Sequence, residues 1–135
     1  MPYKNQIWIN GSFDVLHMGH IKLFQRARQM GLPVMVGLDT DERISKLKGS
    51  SRPINNLKDR VEFLKSIKYI DGIVTFSTDD ELVELIKGHA PRYMLVGDDY
   101  EGKEVIGGEF VKEIIYVKRY GGLSTSNVVN GTHKT

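Results

Sequence analysis

Apolar residues in this chain come in short dense runs separated by stretches in which they recur every three or four positions. Ile7-Trp8-Ile9 opens a run of strand formers that ends at Gly11, and Ile21, Leu23, Phe24 and Ala27 then fall at helical spacing within His20–Met30. The alternation continues through a strand at Val34–Leu38, a helix at Asn56–Tyr69, a strand at Gly72–Phe76 and a helix at Asp79–Gly88. Strands at Tyr93–Gly97 and Ile114–Val117 follow, with a short last helix starting at Ser124. Asn55 or Asn56 suits the cap of the helix from Leu57, Gly31 and Gly88 suit helix stops, and Pro33 and Pro91 follow them closely.

Strands separated by helices need crossover connections, which favour a parallel sheet covered on both faces. The predicted class is therefore α/β: a Rossmann-like, doubly wound parallel sheet in a three-layer α/β/α sandwich. Ligands of such sheets sit at the carboxyl ends of the strands. The polar and glycine-rich breaks fall there: Gly11–Gly19, Asp39–Pro53, Gly97–Gly108 and Arg119–Ser126. Trp8, Phe13, Phe24, Phe63, Leu64, Ile67 and Phe76 stand at core spacing, and Met30, Met35 and Met94 read as core filler.

The break after the first strand carries the most chemistry. In Gly11-Ser-Phe-Asp-Val-Leu-His17-Met-Gly19-His20 a strand turns into a helix, so backbone N–H groups and a helix N-terminus point above the sheet. Glycines at 11 and 19 permit close approach of a ligand oxygen, and two imidazoles at i and i+3 can face one spot. Nucleotide phosphate suits such a loop. A zinc site is the weaker reading of the same histidines, because the chain has no cysteine and its only other histidines are His89 and His133.

Composition narrows the partners. At 135 residues the chain fits one domain, 1–135, with a polar tail at 130–135 expected to fray. Nineteen basic residues against 17 acidic ones, spread along the length, make neither a nucleic-acid stripe nor a polybasic membrane anchor. The absence of cysteine and of any long apolar run points to a cytoplasmic protein acting on small molecules.

The loop resembles that of the nucleotidyltransferase superfamily with the pattern Gly-(Thr/Ser/Cys)-Phe-Asp…His-x-Gly-His. The likeness runs from about Ile7 to Val129 and takes in Lys48-Gly49, Arg52-Pro53-Ile54, Asp59-Arg60, Gly97-Asp-Asp-Tyr100 and Gly122-Leu-Ser-Thr-Ser126. Two branches are represented. The run from Lys48 to Arg60, with Val105–Gly108, is similar to heptose-1-phosphate adenylyltransferases. Gly97–Lys103 and Arg119–Ser126 are more similar to glycerol-3-phosphate cytidylyltransferases. Val96 stands where the first branch carries a lysine, and Arg52-Pro53 is foreign to the second, which leaves the heptose-type reading narrowly ahead.

The resemblance implies transfer of a nucleoside monophosphate from Mg²⁺–NTP (ATP or CTP) to a phosphorylated sugar or polyol, in a homodimer. The acceptor is already an anion, so alignment and charge neutralisation carry the reaction and no strong base is needed. His17 and His20 would donate to the triphosphate, and Lys48, with Lys46 as its alternate, would neutralise the transition state. Arg119 with Ser124, Thr125 and Ser126 would hold the β,γ-phosphates, and Asp14 and Asp98 would organise metal or ribose. Gly11, Ser12, Phe13, Gly19 and Gly97 shape the nucleotide loops. Arg60 is either a nucleotide contact or an i,i+4 helix partner, and Ser124–Ser126 either an anion site, a helix cap, or both. A non-catalytic nucleotide-binding regulatory module stands as the alternative from another functional class.

Overall fold

The computed structural model describes residues 3–118. Five strands form one sheet: β1 (Lys4–Gly11), β2 (Val34–Asp39), β3 (Gly72–Phe76), β4 (Pro91–Gly97) and β5 (Glu113–Val117). Their order is β3-β2-β1-β4-β5, and every neighbouring pair is parallel. The helices are α1 (Met18–Arg28), α2 (Asp41–Lys48), α3 (Leu57–Lys65) and α4 (Asp79–His89). The doubly wound α/β class read from the sequence is the class observed.

Alternation along the strands builds two cores. Ile7 and Ile9 point to one face, where they pack with Val34, Val36, Phe24 and Ala27 of α1, and Leu64 of α3. Trp8 and Met94 point to the other, against Leu82 and Ile86 of α4, Phe76 and Val111. The sheet is thus sandwiched between α1 and α3 on one side and α4 on the other, giving the three layers. Central strands buried on both faces read as unbroken apolar runs, which is why β1 and β2 were easily seen.

Three local expectations are corrected. The break Asp39–Pro53 contains α2, capped by Thr40, whose hydroxyl accepts from Arg43 N, with Asp41 and Glu42 in the first turn. Its only buried residue is Ile44, too thin a stripe to register as periodicity. Phe63 is 48% exposed because α3 turns its Leu64 side, not its Phe63 side, toward the sheet. Gly88 lies inside α4, which stops at Ala90 in the left-handed region (φ 43°) immediately before Pro91. The predicted helix from Ser124 lies outside the described residues, as do Arg119, Thr125 and Ser126.

Candidate active site

The strand order reverses direction between β1 and β4, so the crevice opens above Gly11 and Gly97. The loop leaving β1 is held open by local packing. Phe13 adopts φ 45°, and its ring closes over Gly11, where a Cβ would stand 3.2 Å from ring atom Cζ. Phe13 is buried and meets His20 edge-on, with centroids 5.3 Å apart, and Phe24 at 5.2 Å. It props His20 from below.

His17 and His20 together cap α1. Nδ1 of His17 accepts from Gly19 N at 3.0 Å, and Nδ1 of His20 accepts from His17 N at 3.2 Å. The rings stack with centroids 3.9 Å apart. An Nδ1 that accepts carries no proton, so each neutral ring bears its hydrogen on Nε2. The cap therefore sets the tautomer in which both imidazoles are Nε2 donors. It also engages the Gly19 amide, which donates to His17 Nδ1.

Lys48 lies in the last turn of α2, and its Nζ stands 3.4 Å from Ser12 Oγ. Helix α2 ends immediately afterwards at Gly49 (φ 102°). Both lysines are exposed; Lys46, two residues earlier on the helix, faces away from Lys48, and of the two it is Lys48 that reaches the β1 loop. Burial, and then the charge of Arg52, lower the Lys48 pKa below its ordinary 10.5, against the opposing pull of Asp39 and Asp14.

Asp14 and Arg60 turn out to be braces. Asp14 is fully buried; Oδ2 accepts from Arg52 Nε at 3.0 Å and Ile54 N at 2.8 Å, and Oδ1 accepts from Asn55 N at 2.7 Å. Burial alone would push its carboxyl up, but the Asn55 and Ile54 amides and the Arg52 guanidinium outweigh it, and its pKa lies below the ordinary 3.8. With both oxygens bonded to the protein, Asp14 fixes the 52–55 loop. Arg60, likewise fully buried, donates to the carbonyls of Asn55 (3.0 Å), Ser12 (3.0 Å) and Asp39 (2.6 Å), and to Asp41 Oδ1 (2.6 Å). It ties β1, β2, α2 and the 52–55 loop together.

On the far side of the crevice Gly97 ends β4, and Asp98 begins a single 3-10 turn, Asp98–Tyr100. A Cβ on Gly97 would stand 2.6 Å from Asp99 Oδ1, so the turn folds tightly back on the strand end. Asp98 is half-buried there, while Arg119 and Ser124–Ser126 are outside the described residues. Among the described residues no group of three or more His, Asp or Glu side chains could hold a metal ion. Sequence reasoning did not count Arg52 and Asn55 among the site residues. A carboxylate inside a strand-to-helix loop, certain to be buried if the loop packs, demands such partners, and that demand was the available signal.

Two imidazoles and a lysine thus gather beside a helix N-terminus at the switch point of a 3-2-1-4-5 sheet, the place where α/β domains of this class bind ligands. The chain belongs to the cytidylyltransferase-like family, whose model matches residues 8–131. It is 40% identical over 127 residues to the bifunctional protein HldE of Campylobacter fetus, covering 94% of this chain and 28% of that protein. It is 43% identical over 128 residues to the HldE of Aliarcobacter butzleri, covering 93% and 26%. The chain thus spans about a quarter of the length of these relatives. Among solved structures it is similar to a lipopolysaccharide core biosynthesis protein from Thermoplasma volcanium, with a TM-score of 0.67 at 19% identity, covering 85% of this chain and 97% of that one. It is equally similar to pantothenate synthetase from Thermus thermophilus, with a TM-score of 0.67 at 16% identity, covering 95% and 62%. At such identities the two structures speak for the fold alone.

Proposed function

We propose that this chain transfers adenylate from Mg²⁺–ATP to the phosphate of a heptose 1-phosphate, releasing pyrophosphate. An acceptor phosphate oxygen attacks the α-phosphorus in line, the new P–O bond forms, and the bridging bond to the β-phosphate breaks with its electron pair leaving on pyrophosphate. Nε2–H of His17 and of His20 donate to phosphate oxygens where charge builds, and the Lys48 ammonium neutralises it. Magnesium arrives with the nucleotide as part of the substrate. The observation that carries this reading is the pair of stacked histidines whose Nδ1 atoms each accept a backbone N–H at the α1 cap, which fixes both rings in the Nε2–H tautomer. The likeness to HldE proteins and the Lys48–Arg60 pattern support the heptose over other acceptors.

The glycerol-3-phosphate cytidylyltransferase reading is kept for the Gly97-Asp-Asp-Tyr-Glu-Gly-Lys103 loop with Val96 before it and for the Arg119–Ser126 stretch. A homodimer and a cytoplasmic setting belong to the same proposal; among the described residues no helix is long and apolar enough to cross a membrane.

The test is pyrophosphate release with Mg²⁺, crossing ATP and CTP with heptose 1-phosphate and glycerol 3-phosphate. Release is expected with ATP and the heptose, and His17→Ala should lower it about 10²- to 10³-fold while nucleotide affinity changes far less. Release only with CTP and glycerol 3-phosphate would transfer the assignment to the other branch. Nucleotide binding without release in any combination would make the chain a regulatory binder.

A further inference from the structure

Arg52 is a nearly buried cation whose donors are mostly unused. Its side chain is only 8% exposed and is pinned at one end, Nε to Asp14 at 3.0 Å. The backbone beside it is pinned too, its carbonyl accepting from Ser45 Oγ at 2.5 Å. Yet Nη2 is sealed from solvent with no hydrogen-bond partner among the described residues. Nη1 is also without a partner there, but it is not sealed. A buried guanidinium ordinarily spends its fork on a carboxylate or on carbonyls, as Arg60 does. Here only one corner of the fork is used.

A second cation comes to the same place. Lys48 Nζ reaches Ser12 and Arg52 Nε reaches Asp14, so two positive side chains converge on the three-residue stretch that leads into the His17 cap. The Arg52 charge lowers the Lys48 pKa, second only to burial, so the two lie close enough to repel. Two carboxylates face them, and both are already engaged: Asp14 accepts two backbone N–H groups besides Arg52, and Asp39 is paired with Arg43 at 3.0 Å. Two cations held near one another, with donors to spare, make a subsite for a dianion.

We propose that Arg52 and Lys48 form the subsite for the acceptor's phosphate monoester, with the Nη edge of Arg52 as its specificity-determining contact. The inference rests on the nucleotidyltransferase reading above. Nucleotides of such sheets lie in the crevice between β1 and β4, whereas Lys48 and Arg52 approach the β1 loop from the β2 side, on α2 and the loop after it. That places them on the flank where the attacking phosphate enters. An oxygen arriving at Nη1, the unsealed corner of the fork, meets a donor held in place by the bond from Nε to Asp14.

The experiment compares wild type with Arg52→Lys and Arg52→Gln, the latter keeping a donor for Asp14 in case the former fails to fold. Binding of inorganic phosphate is followed by backbone amide shifts of Ser12, Ile54 and Asn55, and binding of ATP by calorimetry. Phosphate should perturb those amides in wild type, and the folded variants should bind it at least tenfold more weakly, with ATP affinity changed less than threefold. In the turnover assay Arg52→Lys should raise KM for the acceptor phosphate at least tenfold while KM for ATP holds. Unchanged phosphate binding in the variants overturns the proposal, and equal losses for phosphate and ATP reassign Arg52 to the nucleotide and overturn it too. Absence of wild-type turnover with every acceptor would sink the functional reading while the phosphate titration still decides Arg52.

Discussion

The two rims of the crevice are built on different principles. On the β1–β2 rim, charged groups are buried and wired: Asp14 to Arg52, and Arg60 to three carbonyls and to Asp41. On the β4 rim, the chain from Asp99 to Lys103 is exposed and turns by backbone bonds, Glu101 N to Asp98 O at 3.0 Å and Lys103 N to Tyr100 O at 2.9 Å. The first rim is pre-organised, because each group that moves would leave a buried charge or carbonyl unpaired. The second can adjust at little cost. Chemistry that needs two imidazoles and a lysine in fixed positions calls for the first kind of support, and recognition of a base and sugar tolerates the second.

The sharpest test of that contrast is Arg60→Met. It keeps the apolar stem and removes the donors to Ser12, Asp39 and Asn55 carbonyls, which lie where water cannot replace them. The Asp41 arm is discounted, since that carboxylate is 45% exposed. A loss of about 3 kcal/mol in urea unfolding is expected, with turnover falling as Ser12 and α2 lose their registry. A cost under about 0.5 kcal/mol, the scale of ordinary surface changes, would show that the β1–β2 rim does not depend on this brace.

This wiring is also what the sequence hid. The strands and most helices were legible because their signal is periodic and local: Ile7, Trp8 and Ile9 announce a central strand by themselves. The histidine loop was legible because its residues are neighbours in the chain. Arg60 was not, because its meaning lies in three carbonyls from Ser12, Asp39 and Asn55, and nothing about an arginine early in an amphipathic helix says that it points inward. Asp14 was assigned to ligand for the complementary reason. A carboxylate in a phosphate loop looks available until the chain returns 38 residues later to bury it with Arg52. Helix α2 escaped because one buried residue, Ile44, anchors it.

The next effect concerns pH. Burial and the neighbouring Arg52 hold the Lys48 pKa below 10.5, so its ammonium, needed in the charged form, is lost as pH rises through that lowered value. The alkaline limb of kcat/KM is therefore expected below pH 10.5, since kcat/KM reports groups of the free enzyme. Arg52→Gln removes the like charge and should move this limb upward, whereas Lys48→Arg, which stays protonated, should abolish it. A limb that stays in place in Lys48→Arg would assign it to another group and weaken the case for a strained cationic pair on this rim.

The smallest effects belong to the exposed rim. Tyr100 is 48% exposed, and Glu101 and Lys103 beside it are exposed as well. Tyr100→Ala and Lys103→Ala should each change unfolding free energy by no more than about 0.5 kcal/mol, because neither side chain completes a buried group. If this rim recognises nucleotide, their kinetic effect should be a several-fold rise in KM for the triphosphate with kcat nearly intact, the signature of lost uniform binding. A fall in kcat matching that of His17→Ala would mean that a surface turn on β4 positions the reacting atoms, and the division between a rigid catalytic rim and an adaptable recognition rim would no longer hold.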